Sequence, residues 1–194
     1  MKQKIFILAA LLLSVSYAAQ AQYTYKPFRI DIGTGLSFPV TTFGIGILGS
    51  IEPQYSFGQF GVGARIEYHL EGYETENDGG VTKYNNAILL TGDYRFSSAT
   101  YRPFVGVGFG SYLTAANFSR VDNNDYYGSS GGGSTYRIFG QKVGAMLRAG
   151  FDLPHFRFAL NYHITGSSKY EGVKVNFSYL AFTIAVGIGG GRVD

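Results

Sequence analysis

Residues 156–164, FRFALNYHI, alternate without a slip: Phe156, Phe158, Leu160, Tyr162 and Ile164 carry the bulk, and Arg157, Ala159, Asn161 and His163 lie between them. A strand sends successive side chains to opposite faces, so the stretch has one apolar and one polar side. The same period of two recurs in eight segments, at about 28–40, 44–55, 60–73, 82–96, 103–117, 140–152, 156–166 and 174–189. No stretch sustains a helical period with caps, and a share of the 28 glycines inside any helix would weaken it. The pattern predicts an all-β chain. What it leaves to decide is which face of the sheet meets water.

The glycines decide it. In the first segment Phe28, Ile30, Ile32, Leu36 and Phe38 alternate with Arg29, Asp31, Gly33, Gly35 and Ser37. In the third, Val62, Ile66 and Leu70 alternate with Gly61, Gly63, Arg65, Glu67, His69 and Glu71. The fifth sets Val105, Val107, Phe109 and Leu113 against Gly106, Gly108, Gly110 and Tyr112, and the eighth sets Leu180, Phe182, Ile184, Val186 and Ile188 against Tyr179, Ala181, Thr183, Ala185 and Gly187. Small residues therefore share the polar face with the charges. A solvated outer surface gives no reason for glycine, which weakens a strand. The crowded interior of a small closed barrel does, because its inward positions mix small and large side chains. The polar face points inward, the apolar face points out, and an apolar exterior requires lipid.

The connections follow suit. Those around 55–59, 97–102 and 153–155 are short, whereas 72–81, 118–139 and 166–174 are longer and polar, although the first external one, 39–43, is short. Short periplasmic turns alternating with long external loops characterise outer-membrane barrels, and an even strand number puts both termini on the periplasmic side. Aromatic residues gather at two levels, as girdles at headgroup depth do. Tyr23, Tyr25, Phe28, Tyr55, Phe57, Phe60, Tyr94, Phe96, Tyr101, Phe104 and Phe156 fall near the periplasmic edge, and Phe38, Phe43, Tyr68, Tyr73, Tyr84 and Tyr162 near the outer one.

The chain opens with Lys2 and Lys4, an apolar run over 5–15 and a small-x-small site, Ala19-Gln20-Ala21. That is the layout of a secretory signal peptide over 1–21, leaving a barrel domain over 22–194. Cysteine is absent, so no disulfide holds the exported chain together. The net charge of +3 contains no dense Lys/Arg run, which argues against nucleic-acid binding.

The leader, the eight alternating segments and the Gly-rich close NFSYLAFTIAVGIGGGRVD resemble the small outer-membrane β-barrel family of OmpA, OmpX and OmpW type, often labelled porin family. The chain departs from the usual terminal aromatic, ending Arg192-Val193-Asp194, with Phe177, Tyr179 and Phe182 upstream. The resemblance implies an eight-stranded antiparallel up-and-down transmembrane barrel in the outer membrane of a Gram-negative bacterium. It implies outer-membrane lipid and lipopolysaccharide as surroundings and the barrel assembly machinery as a partner during insertion. Some small outer-membrane barrels are lipid A deacylases.

Four groups of residues are candidates for chemistry. Arg29, Asp31, Glu52, Arg65, Glu67, His69, Asp93, Arg95, Arg148, Asp152 and Arg157 are expected inside the barrel in nearly balanced signs, with His163 as a hydrogen-bonding neighbour. Charge in a confined space must pair, so the set forms either a polar plug or a narrow selective conduit for small solutes. Eight strands leave little bore, which favours the plug. The stretch HITGSSKYE, 163–171, holds a His, serines and a Glu, but the neighbour sharing a strand face with His163 is Thr165, while Ser167 and Ser168 fall in the loop. A lipid A-modifying hydrolase is therefore the weaker alternative. His69, His155 and His163 are scattered, and DNND at 122–125 lacks the twelve-residue calcium loop, so neither a metal nor another cofactor is expected. The Gly/Ser-rich loop 119–137, with Tyr126, Tyr127 and Tyr136, offers contact area to a surface partner. The expectation is a monomeric, non-catalytic outer-membrane barrel with a structural or surface-loop interaction role.

Overall fold

A computed structural model of the chain describes residues 26–41, 44–75, 79–97, 100–120, 133–170 and 173–190. The expected leader, Tyr23, Tyr25, Phe43, the 122–125 stretch and most of the 119–137 loop lie outside those residues, as do the side chains of Tyr73 and its neighbours. Ten strands follow in order: β1 (Phe28–Pro39), β2 (Ile45–Phe57), β3 (Phe60–Thr75), β4 (Gly79–Arg95), β5 (Arg102–Arg120), β6 (Gly133–Asp152), β7 (Phe156–Ile164), β8 (Ser167–Tyr170), β9 (Val173–Asn176) and β10 (Tyr179–Gly189). Eight of them close into an antiparallel barrel in the order β1-β10-β7-β6-β5-β4-β3-β2, and β8 and β9 form a separate hairpin. The first and last barrel strands meet in register from Arg29 opposite Gly189 to Pro39 opposite Tyr179.

Closure leaves no strand edge unpaired, which is what allows a sheet to cross hydrocarbon. The pleat then sorts the sequence. Leu90 is 71% exposed, Ile88 66% and Phe109 65% on the outer wall, while their chain neighbours Leu89 and Thr91 are buried inside. The exterior is predominantly apolar and the interior holds most of the charges of the barrel strands. An object of this kind is stable only in a membrane.

Three expectations need correction. The eighth alternating segment is not one strand: residues 173–176 leave the wall to pair with 167–170, and β10 begins only at Tyr179. The break is local. Gly166 turns the chain at φ +75, the Ser178 hydroxyl accepts the backbone N–H groups of Thr165 and Gly166 at 3.2 and 3.3 Å, and the Asn176 side chain caps the Ser178 N–H at 3.0 Å. These side-chain bonds replace the ladder at that point. Second, the external connection between the fifth and sixth segments is shorter than its polar composition suggests, because β5 and β6 remain paired out to Arg120 opposite Gly133. A register shift at Thr114/Ala115, facing Gly140 at φ +86, separates this ribbon from the barrel wall below. Third, Phe104 belongs to no girdle. It is 1% exposed inside the barrel, on the same parity as Gly106 and Gly108, while Phe57, Phe60, Tyr55 and Tyr101 do face outward.

Candidate functional site: the filled lumen

Alternation carries a charged side chain inward from most barrel strands, and the small bore brings them into contact. At the periplasmic end, Asp152 closes β6 between its two register partners, Arg102 of β5 and Arg157 of β7. Its carboxylate accepts Arg157 Nε at 2.7 Å and Arg95 Nε at 3.0 Å, with Arg29 Nη1 4.0 Å away. Arg29 donates through Nε to Asp31 at 2.5 Å. Phe104 lies beneath, with the Arg157 guanidinium 4.5 Å from its ring centre, a cation–π contact between two buried side chains.

One level further in, Glu52 is the hub. Arg148 grips it with both terminal nitrogens at 2.7 Å, Arg65 adds a bond at 3.2 Å, and Thr91 and Gln54 donate at 2.7 and 2.8 Å. Arg148 also reaches Asp93 at 2.7 Å, and Arg65 reaches Glu67 at 2.7 Å. Gln54 passes bonds between Glu52, Asp93, Arg95 and Arg157. Five arginines (29, 65, 95, 148, 157) thus face five carboxylates (31, 52, 67, 93, 152), each residue at most 5% exposed. Charge-assisted and bidentate contacts of this sort are the strong members of the hydrogen-bond class.

Toward the outside the filling turns aromatic. Tyr179 is stacked between His69, 3.9 Å away, and His163, 4.3 Å away, and its hydroxyl donates to Glu67 at 2.5 Å. Tyr112 bonds the His163 ring at 3.0 Å and packs with Met146, Leu89 and Ala87. Above this collar Lys83 pairs with Glu71 at 2.6 Å and bonds the Asn176 carbonyl at 2.9 Å, while Phe177 is buried against Phe139 and the Lys142 ammonium. The β8–β9 hairpin therefore delivers Phe177 into the outer mouth.

All twelve residues singled out from the sequence, from Arg29 to His163, lie inside the barrel; eleven are joined by bonds and ion pairs in this arrangement, and His69 meets them through the Tyr179 ring. Sequence parity alone could have added Gln54, Thr91 and Glu71, which share the inner face with Glu52, Asp93 and His69. Nothing in the sequence marks Phe177 as a stopper. For hydrolysis, His163 meets Tyr112 and Glu67 rather than a serine, and Ser167 and Ser168 belong to β8. The structure instead joins Ser37 to His69 at 2.7 Å, with Asn85 on the other ring nitrogen at 3.1 Å. Both Ser37 and His69 are 0% exposed, sealed from any acyl chain. Among the described residues no cluster of three or more His, Asp or Glu is placed to hold a metal ion.

Neither a protein-family model nor a curated protein sequence matches the chain. Solved structures do. Neisserial surface protein A (NspA) is 12% identical over 84% of this chain and 95% of its own, with a TM-score of 0.51. Ail, the attachment invasion locus protein of Yersinia pestis, is 18% identical over 84% and 98%, with a TM-score of 0.45. The N-terminal β-barrel domain of Pseudomonas aeruginosa OprF is 16% identical over 85% and 100%, with a TM-score of 0.39. What this chain shares with NspA is the fold, the closed eight-stranded barrel of outer-membrane proteins.

Proposed function

We propose that this outer-membrane barrel does not conduct and acts as a rigid membrane anchor that presents its external ribbon to a partner at the cell surface. The carrying observation is the completeness of the filling: ten interlocked charges, an aromatic collar and Phe177 occupy successive levels of one narrow lumen. An apolar band of about 25 Å is spanned by roughly ten tilted residues. Counted from Phe151 at the periplasmic edge, β6 leaves the hydrocarbon near Gln141. Tyr136 and Ile138, 58% and 60% exposed, then stand above it on the β5–β6 ribbon. Exposed aromatic and aliphatic groups beyond the lipid suit a contact surface.

Planar-bilayer recording of the refolded protein tests the first half. The current should stay at the bilayer baseline, and discrete conductance steps would overturn the closed-lumen reading. For the second half, trimming the ribbon back to the bulge at Thr114 should leave heat-modifiable gel mobility intact while abolishing adhesion of expressing cells to host or abiotic surfaces; unchanged adhesion would contradict it.

A further inference from the structure

On the outer wall, three uncharged polar side chains meet on adjacent strands. Asn86 of β4 stands between Tyr68 of β3 and Leu113 of β5, and Leu113 stands opposite Gln141 of β6. Ser111, one outward step deeper, lies between Ile88 and Val143. The short serine among Ile66, Tyr68, Ile88 and Leu113 leaves a hollow of about 550 Å³. Asn86 and Gln141 line it and are exposed, and Ser111 is half-buried. Glu67 underlies the hollow but is 1% exposed and turned into the lumen, where it accepts the Tyr179 hydroxyl. The lining is therefore neutral. Its level is the one at which β6 leaves the hydrocarbon, beside the exposed ring of Tyr68, so a lipid lying along the wall passes there from acyl chain to headgroup.

Gln141 Nε2 donates to Ser111 Oγ at 2.7 Å, and among the described residues the three side chains make no other hydrogen bond. That leaves the Ser111 O–H and the Asn86 N–H groups as donors, with the Asn86 and Gln141 amide oxygens as acceptors. Carboxamides left so beside hydrocarbon are costly. Near the periplasmic edge a hollow of equal size, lined by Gly92, Phe60, Val62, Val105 and Val107, has no such groups, since the Tyr94 hydroxyl there already donates to Gln59 at 2.9 Å. Polar groups on a membrane-facing surface also suit a second copy of the chain. A two-fold contact, however, sets hollow against hollow and leaves a void at its centre, so the shape selects a slender occupant.

We infer that this hollow seats one outer-leaflet lipid whose acyl chain carries, at its junction with the headgroup, a group that both donates and accepts hydrogen bonds: an amide or a hydroxyl. Either meets donor and acceptor atoms of the trio at once, whereas an ester can only accept. The site lies on the lipid-facing wall, apart from the lumen and from the external ribbon.

The chain contains no tryptophan, so Val143→Trp, across from Ser111, places a single fluorescent reporter beside the hollow. The full chain carrying it is refolded into phosphatidylcholine vesicles with a minor fraction of either sphingomyelin or phosphatidylcholine bearing the same brominated chain. The two lipids share a headgroup, and only sphingomyelin has the amide and the hydroxyl. Bromine quenches the indole on contact. At equal mole fraction sphingomyelin should occupy the hollow about three- to tenfold more, the gain of one net hydrogen bond. Asn86→Leu and Gln141→Leu, apolar changes that suit a lipid-facing wall, should bring that ratio toward unity. Gly92→Leu, which fills the periplasmic hollow, should leave it unchanged. Sphingomyelin methylated on its 3-hydroxyl keeps the amide and lacks the O–H donor: a retained preference assigns the amide, a lost one the hydroxyl. Equal quenching by the two parent lipids, or a preference untouched by both Leu variants, overturns the proposal. So does a Ser111→Cys chain that oxidises to a covalent dimer while neither lipid quenches the reporter, the mark of a second copy seated there.

Discussion

Glu52 collects five hydrogen bonds, two from Arg148 and one each from Arg65, Thr91 and Gln54. Its contribution is less an attraction than a prevention. Arg148 and Arg65 are 4% and 5% exposed, and without the carboxylate each keeps only one anionic partner for a buried charge. Removing one member of a buried ion pair typically costs about 3–5 kcal/mol, because the other is left uncompensated. Glu52→Gln, which keeps the shape and discards the charge, should therefore lower unfolding stability by about that amount in urea titrations of the refolded barrel. Thr91→Val removes one donor from the same carboxylate and leaves four, so its cost should be nearer about 1 kcal/mol. Equal losses in the two variants would mean that packing rather than charge pairing holds the lattice.

Along a strand, the face decides what a glycine means. Gly110 of β5 points inward against β4, where a Cβ would collide with the Ile88 carbonyl oxygen and sit 2.9 Å from the Leu89 Cα. Backbone in a closed ladder cannot step aside. Gly92 of β4 points outward, and a Cβ there meets nothing within 4 Å. Gly110→Ala should thus destabilise the barrel by about 1–3 kcal/mol as an overpacked interior does, while Gly92→Ala should be neutral or stabilising by a few tenths, through the less flexible unfolded chain. Urea midpoints of the two refolded variants check the contrast, and similar midpoints would refute the assignment of faces. This much was legible in the sequence, because period two and the parity of glycine are local properties of the chain. The same parity places Phe104 inside, on the face of Gly106, although its aromatic character and position suggest a girdle. What the sequence could not disclose are contacts set by distant register: Ser37 beside His69, Tyr179 between two histidines, Phe177 over Lys142. Nor did alternation reveal the start of β10, since Val175, Phe177 and Tyr179 continue the period while Ser178 and Asn176 redirect the backbone.

Across the molecule the filling amounts to seals in series, and a series is closed while any one member holds. The ionic lattice around Glu52 and Asp152 lies below the collar of Tyr112, Tyr179, His69 and His163, and Phe177 lies above both. Among the described residues, the collar joins the lattice at Glu67, through Tyr179 and His163. Deleting Glu52 and Arg148 together removes opposite charges in one step, leaving Asp93 with Arg157 at 3.1 Å and Glu67 with Arg65 at 2.7 Å. Such a pairwise deletion avoids the stranded charge that a single deletion creates. The double variant Glu52→Ala/Arg148→Ala should therefore fold and still show no current in planar bilayers, because the stacked rings above remain in place. Phe177→Ala alone should be silent for the same reason. Conductance should arise only when Tyr112→Ala and Tyr179→Ala are added to the lattice deletion together with Phe177→Ala, opening every level at once. A steady current from the lattice deletion alone would show that the rings are no barrier to ions and that the arginine–carboxylate lattice is the sole closure of the barrel.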